Sequence, residues 1–172
     1  MRLIESGCKL TANLLAWVGG AAMVLMLGHM VVEIFCRYVL GIPLLGTLEV
    51  VSGYYMVAIA LLPLGFVVDR GGHIMVDLFT RSLSSRTLSM IDSMVGFVGT
   101  AFLAVVAWRT FAEAIRNTAM EEGWETADGM ILIWPSRWVI PIGCGVMASM
   151  FAIHAIRNLA AARGARAAPP DA

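Results

Sequence analysis

The chain has 172 residues, 59% hydrophobic and 14% charged, with no formal net charge and a mean hydropathy of +0.82. A soluble domain is about 45–50% apolar and about 25% charged, so this balance excludes an ordinary water-soluble fold. The missing basic excess also argues against a nucleic-acid partner.

Arg2 and Lys9 precede an apolar run that mimics a secretory signal but continues well past the roughly 7–15 residues of such a core. It is read as a retained transmembrane helix. About 20 mainly apolar residues cross a bilayer. Four stretches meet that length, at about 12–36, 46–68, 88–111 and 131–156. The expected fold is therefore an all-α membrane protein. Residues 1–160 make a single four-span domain, and 161–172 (ARGARAAPPDA with its neighbour) a flexible tail.

Between spans two and three, residues 71–86 (GGHIMVDLFTRSLSSR) place Ile74 and Leu78 on one side and the Asp77/Arg81 pair on the other. That pattern suits a short interfacial helix. Arg2, Lys9, Arg70, Arg81, Arg86, Arg157, Arg163 and Arg166 gather at one end of the spans. Only Arg37, Arg109, Arg116 and Arg137 stand at the other. This asymmetry predicts cytoplasmic termini. Tyr38, Trp108, Trp134 and Trp138 fall at the expected outer interface.

Helix packing is expected at small residues recurring every four positions: Ala12, Ala16 and Gly20; Gly96, Thr100 and Ala104; Gly145 and Ser149. Pro63 and Pro141 lie inside spans two and four and are each expected to bend their helix.

The segment EIFCRYVLGIPLLGTLEV, residues 33–50, forms the expected outer corner between spans one and two. Gly41, Pro43 and Gly46 punctuate the turn, and Leu40, Ile42, Leu44 and Leu45 make it apolar. Such a turn belongs at headgroup level or against another protein. His29, Glu33 and Arg37, spaced four apart, share a helix face, so Glu33 can pair with either neighbour. Glu49 opens span two, where a helix N-terminus favours an anion. An intramembrane carboxylate is a functional candidate by default; the plainer reading is a structural ion pair.

Other constellations carry less. The cysteines at 8, 36 and 144 are odd in number and include no CxxC pair, which supports neither a disulfide framework nor a metal site. His29 and His154 lie about 20 Å apart in depth at about 1.5 Å per residue and cannot hold one haem. Glu121, Glu122, Glu125 and Asp128 with Trp124 form an acidic outer loop that does not match a calcium loop. It reads as a solvated face or as a docking face for an external partner. No catalytic signature is present, so no enzyme activity and no cofactor are expected.

Three stretches in order carry a resemblance: Arg37-Tyr38-Val39-Leu40-Gly41 with Pro43 and Glu49; Gly72-His73-Ile74-Met75-Val76-Asp77; and Trp134-Pro135-Ser136-Arg137-Trp138-Val139-Ile140-Pro141. The chain resembles, over about residues 10–160, the small DctQ-like membrane subunit of tripartite ATP-independent periplasmic (TRAP) transporters. It departs from the family's pattern in the turn before span two, where Leu44 to Leu48 precede a single acid. The resemblance implies a noncatalytic scaffold of an ion-gradient-driven symporter in a bacterial inner membrane, importing a carboxylate-type solute. Its implied partners are a large multi-span subunit and a periplasmic substrate-binding protein. It also implies a partner or docking role for Glu33, Arg37, Tyr38, Gly41, Pro43, Glu49, Trp134, Pro135, Trp138 and Pro141, and a structural role for His73, Asp77 and Arg81. Two competing expectations are a stand-alone ion-coupled oligomer using Glu33 or Glu49, and the membrane anchor of a redox complex.

Overall fold

The computed structural model describes residues 2–42, 44, 46–70, 85–126 and 129–164. The segment 71–84 with His73, Asp77 and Arg81, and with it the expected interfacial helix, lies outside the described residues, as do Pro43, Leu45 and Asp128.

Helix α1 (Arg2–Phe35) continues through a π-helical turn at Cys36–Leu40 and stops at Gly41. Gly41 adopts φ 71° and its N–H donates to the Cys36 carbonyl. A side chain in that left-handed conformation costs about 1–2 kcal/mol, so glycine ends the helix there. The second span is built from short pieces: α2 (Thr47–Val50), a π-helical turn (Val51–Tyr55), α3 (Met56–Leu61) and α4 (Leu64–Asp69). The break falls at Leu62–Pro63, because Pro63 has no N–H and its ring excludes the preceding turn's carbonyl. The chain recovers when the Val67 N–H donates to the Pro63 carbonyl at 3.0 Å. Gly19 of α1 makes room: a Cβ there would stand 3.0 Å from Pro63 Cγ.

Helix α5 (Ser85–Ala119) overruns its apolar segment by two turns. An antiparallel hairpin follows, β1 (Gly123–Thr126) and β2 (Gly129–Leu132), pairing Gly123 with Leu132 and Trp124 with Ile131. Then come α6 (Trp134–Arg137) and α7 (Val139–Gly164).

Four helical segments are long and apolar enough to cross a membrane: Glu5–Leu40, Thr47–Asp69, Thr87–Ala119 and Trp134–Ala160. The fold is thus all-α in its membrane part, with the hairpin appended at one end. Ile131 and Leu132, apolar enough to be read as the start of span four, pair in the hairpin instead, and the helix begins at Trp134. Pro141 takes the third position of α7, in the first turn, where a missing N–H breaks little. It therefore does not interrupt the span as Pro63 does.

The spans form a row rather than a closed square. α7 packs on α5 along their length and on α3 and α4. α1 packs on α3, α4 and α7, with no comparable contact to α5. Burial follows: 33% of the apolar window in span four and 22% in span two, against 11% in span three and 6% in span one. Spans two and four are central, and one and three are flanks. A small core joins Ala12, Val68 and Met150.

The close approaches coincide with the expected stripes at Ala12 and Gly96 and depart from them at Gly20 and Gly145. Gly143 lies against the Leu61 carbonyl, Gly65 against Val146, and Gly96 against Ala155, while Gly20 and Gly145 face open space. On α1, Ala12 and Gly19 are buried and Ala16 half-buried, whereas Gly20 is exposed.

Charged side chains mark two levels. Glu5 joins Lys9 and Arg157, and Lys9 joins Asp69, tying α1, α4 and α7 at the end opposite the hairpin. At about 1.5 Å per residue, Lys9 to Glu33, Asp69 to Glu49 and Arg157 to Arg137 span about 36, 30 and 30 Å. A hydrocarbon core is about 30 Å thick, so these two belts bracket it.

Candidate functional site at the hairpin end

The polar side chains of the hairpin end fall into two groups. In the first, Glu33 stands on the α1 face turned to span two and is only 6% exposed. Arg37, one turn on and largely exposed, brings Nη2 to 2.5 Å from Glu33 Oε1. The approach is an ion pair without hydrogen-bond geometry, and that buried oxygen receives no hydrogen bond among the described residues. Of the two partners open to Glu33 by spacing, the fold uses Arg37. His29 instead meets the Tyr55 ring edge-on at 6.0 Å between centroids. Glu49, half-buried, lies in the first turn of α2.

The second group closes the start of span four. The Glu122 carbonyl accepts the N–H groups of Ile133 and Trp134 at 2.8 and 3.1 Å. It thereby satisfies donors that a helix start leaves orphaned. Its carboxylate accepts from Arg137 Nε at 3.0 Å and Nη2 at 2.6 Å. This fork-to-fork contact is the strong form of an ion pair, and it holds the Glu122 carboxyl below the usual carboxylate range. Trp138 Nε1–H donates to Thr118 Oγ1 at 3.0 Å, and its ring meets Phe111 edge-on at 5.5 Å. Span three is thereby fastened to span four. Glu113, Arg116, Asn117, Glu121, Glu122 and Arg137 contribute to an open cleft of about 510 Å³ at this end.

The hairpin joins the two groups through span two. Tyr54 Oη donates to the Leu132 carbonyl at 2.5 Å. A Cβ on Gly46 would collide with Ile131 Cδ1, and one on Gly53 would meet Ile133 and Trp124 at 3.0 and 3.5 Å. Trp124, conspicuous in sequence as a lone aromatic among acids, is therefore partly a packing residue over Gly53. Glu121 and Glu125 remain exposed, while Glu122 is taken up by Arg137.

Of the sequence candidates, Glu33 and Arg37 meet each other; Trp138 joins span four to span three; Pro141 is buried; and Trp134 and Pro135 are half-buried at the start of span four. Tyr38 and Gly41 stand exposed at the corner. The Glu122–Arg137 clamp and the roles of Tyr54 and Thr118 were not foreseen. Glu122 and Arg137 are fifteen residues apart, and no helical or strand period relates them. Only the hairpin brings them together.

The family described as "Tripartite ATP-independent periplasmic transporters, DctQ component" matches residues 26–161. The chain belongs to this family. It is the small membrane component of a TRAP transporter, an inner-membrane protein with several spans. The matched region runs from the second half of α1 to the end of span four and so includes both polar groups and the hairpin. Comparison with curated proteins and with solved structures gave no match.

Proposed function

We propose that this DctQ component is a noncatalytic scaffold. It would hold a large multi-span subunit that carries the solute and the coupling ion, and would offer part of the surface on which a periplasmic substrate-binding protein delivers that solute. The carrying observation is where polarity lies. The buried polar side chains among the described residues are Glu33, Thr47, Ser93, Asn117 and Ser136. All but Ser93 stand near the hairpin-end belt, and Ser93 stands near the opposite one. Secondary transporters place substrate and ion sites near the bilayer midplane. With none of these groups there, the route for solute belongs in another chain.

The Lys/Arg asymmetry supports cytoplasmic termini and a periplasmic hairpin end. Family membership supports a carboxylate-type solute driven by an ion gradient. The competing reading, a stand-alone ion-coupled oligomer, draws on the buried oxygen of Glu33 that lacks a hydrogen bond. Glu33 and Glu49 both belong to the charged belt, far from the depth a coupling carboxylate occupies.

The test is recovery of tagged protein from its native membrane in gentle detergent, with mass spectrometry of what accompanies it. A large polytopic chain in near-equal amount is expected. Recovery of this chain alone as a stable homo-oligomer would refute the scaffold reading.

A further inference from the structure

Three of the four arginines at the hairpin end meet a carboxylate: Arg37 meets Glu33, Arg116 meets Glu113 and Arg137 meets Glu122. Arg109 is the exception. It is exposed and has no ion pair, hydrogen bond or ring contact among the described residues. Helical spacing offers it Glu113, one turn on, but Arg116 Nη2 takes that carboxylate at 2.5 Å.

The depth of Arg109 makes the exception costly. Gly96 lies against Ala155, Gly99 against Phe151 and Phe111 against Trp138. Continued along the antiparallel pair, this register puts Arg137 level with Glu113 and Arg157 level with Ser93. Arg109 therefore stands one turn inside the charged belt, about 6 Å toward the bilayer centre at about 1.5 Å per residue. A charge in hydrocarbon costs free energy unless it reaches water or an anion. The Cα–Cβ bonds of α5 tilt toward its start, away from the hairpin end, so the guanidinium has to turn outward on its three-carbon stem to do so.

Two kinds of anion stand in range of that depth, a lipid phosphate and a carboxylate of another chain. The surroundings favour the first. Lipid phosphates ring the belt at the level to which the stem reaches, whereas a carboxylate would have to be carried one turn into hydrocarbon at its own cost. Trp108, the preceding residue, is 75% exposed, and its indole N–H has no partner among the described residues. Tryptophans gather at the headgroup level, where one end of the ring is wet and the other apolar. Toward the bilayer centre, Val105 and Phe102 follow Arg109 at four- and seven-residue steps on the same face, 64 and 67% exposed. Phe102 stands close to midway between the levels of Ser93 and Glu113, so this apolar lane ends near the midplane. Two unpartnered donors at the outer end and an apolar lane below them follow the polarity of one leaflet.

We infer that the open face of α5 binds a phospholipid of the hairpin-side leaflet, its phosphate held by the Arg109 guanidinium and the Trp108 indole and an acyl chain laid along Val105 and Phe102. The Arg116–Glu113 pair has a part in this. By engaging the one acid within helical reach, it keeps Arg109 free for an anion from outside the chain. The inference stands independently of the scaffold reading.

The test titrates the full tagged chain, in mild detergent, with dioleoyl phosphatidylglycerol and counts bound lipid by native mass spectrometry. One lipid should be retained first, with an affinity that falls about tenfold in Arg109→Gln and recovers in part in Arg109→Lys, which keeps the charge but not the planar fork. Dioleoylglycerol, with the same chains and no phosphate, should bind all three forms alike. Arg116→Gln leaves Arg109 in place but releases Glu113 to reach it, so phosphatidylglycerol binding should weaken there as well. Without added lipid, Arg109→Gln should melt as the unsubstituted chain does, since Arg109 holds nothing inside the fold. Equal phosphatidylglycerol retention by the unsubstituted chain and Arg109→Gln would overturn the inference. So would loss of an accompanying membrane protein from native membranes in Arg109→Gln at unchanged lipid retention, which would assign the guanidinium to a carboxylate on that protein.

Discussion

Gly143 and Gly145, two residues apart on α7, make a matched pair. A Cβ on Gly143 would stand 2.7 Å from the Leu61 carbonyl oxygen and 3.2 Å from its carbon, which are backbone atoms that cannot rotate away. A Cβ on Gly145 meets nothing within 4 Å. In an exposed helix interior, Gly→Ala gains up to about 1 kcal/mol of helix propensity at either position. At Gly143 that gain is opposed by overpacking, which costs about 1–3 kcal/mol when a well-packed contact must open. Gly143→Ala is therefore expected to fall about 1–3 kcal/mol below Gly145→Ala, and Gly145→Ala to be neutral or slightly stabilising. For a chain of this size 1 kcal/mol corresponds to a melting shift of about 2–4 °C. The assay is thermal unfolding of the isolated subunit in one detergent, following tryptophan fluorescence. Because Leu61 stands one residue before the Leu62–Pro63 break, the deficit in Gly143→Ala should also raise hydrogen exchange in α3. Equal melting temperatures for the two variants would refute the close approach of spans two and four.

Four further outcomes follow from the structure. Combining Glu122→Gln with Arg137→Gln should reveal a coupling of about 1 kcal/mol in a double-mutant cycle, reduced from the fully buried case because both partners are partly solvent-exposed; strictly additive losses would mean that the fork contributes nothing. The same pair sets a pH dependence: Glu122 titrates below its ordinary value of 4.5 when folded, so its contribution is complete above pH 4.5 and fades as pH falls below it. Glu122→Gln should therefore flatten the acid limb of a stability–pH curve, and an unchanged limb would assign acid lability elsewhere. Ser93, buried against α7, donates to the Ala155 carbonyl at 2.9 Å, and Ser93→Ala should cost about 0.5–1.5 kcal/mol in the same melting assay. Arg37→Ala uncovers Glu33 and should reduce solute uptake in the assembled transporter through assembly or docking, leaving the order of preference among competing solutes unchanged; an altered preference would put this chain in the solute path.

The four spans were legible because a bilayer imposes a length and a composition that sequence displays directly. The Glu33–Arg37 pair was legible because a helix fixes the neighbours of residue 33 at residues 29 and 37. Legibility stopped where contacts depend on how helices rotate against each other. Small residues every four positions pointed to Ala12 and Gly96, which do make contacts, but also to Gly20 and Gly145, where the contacts fall instead on Gly19 and Gly143. The apolar faces are nearly uniform around each helix, so sequence offers no angular reference. The hairpin was hidden for another reason. Ile131 and Leu132 read as lipid-soluble, and only the pairing of Trp124 with Ile131 across an acidic loop reveals them as strand. With the hairpin unseen, the bond from Glu122 to Arg137 could not be anticipated.

The sparse burial of the flanks bears on how such a chain stays folded. Between helices in lipid there is no hydrophobic driving force comparable to that in water, since lipid tails are as apolar as leucine. Cohesion then depends on close backbone approach and on polar fastening. Here the first is concentrated at Gly65, Gly96 and Gly143, all involving α7, and the second at the two charged belts. α1 is the least buried span, and its ties lie at its ends and along one narrow line. A helix held that lightly, 34 residues long before its π-helical turn, is free to change its tilt while its backbone hydrogen bonds stay intact, since lipid offers those groups no substitute partner.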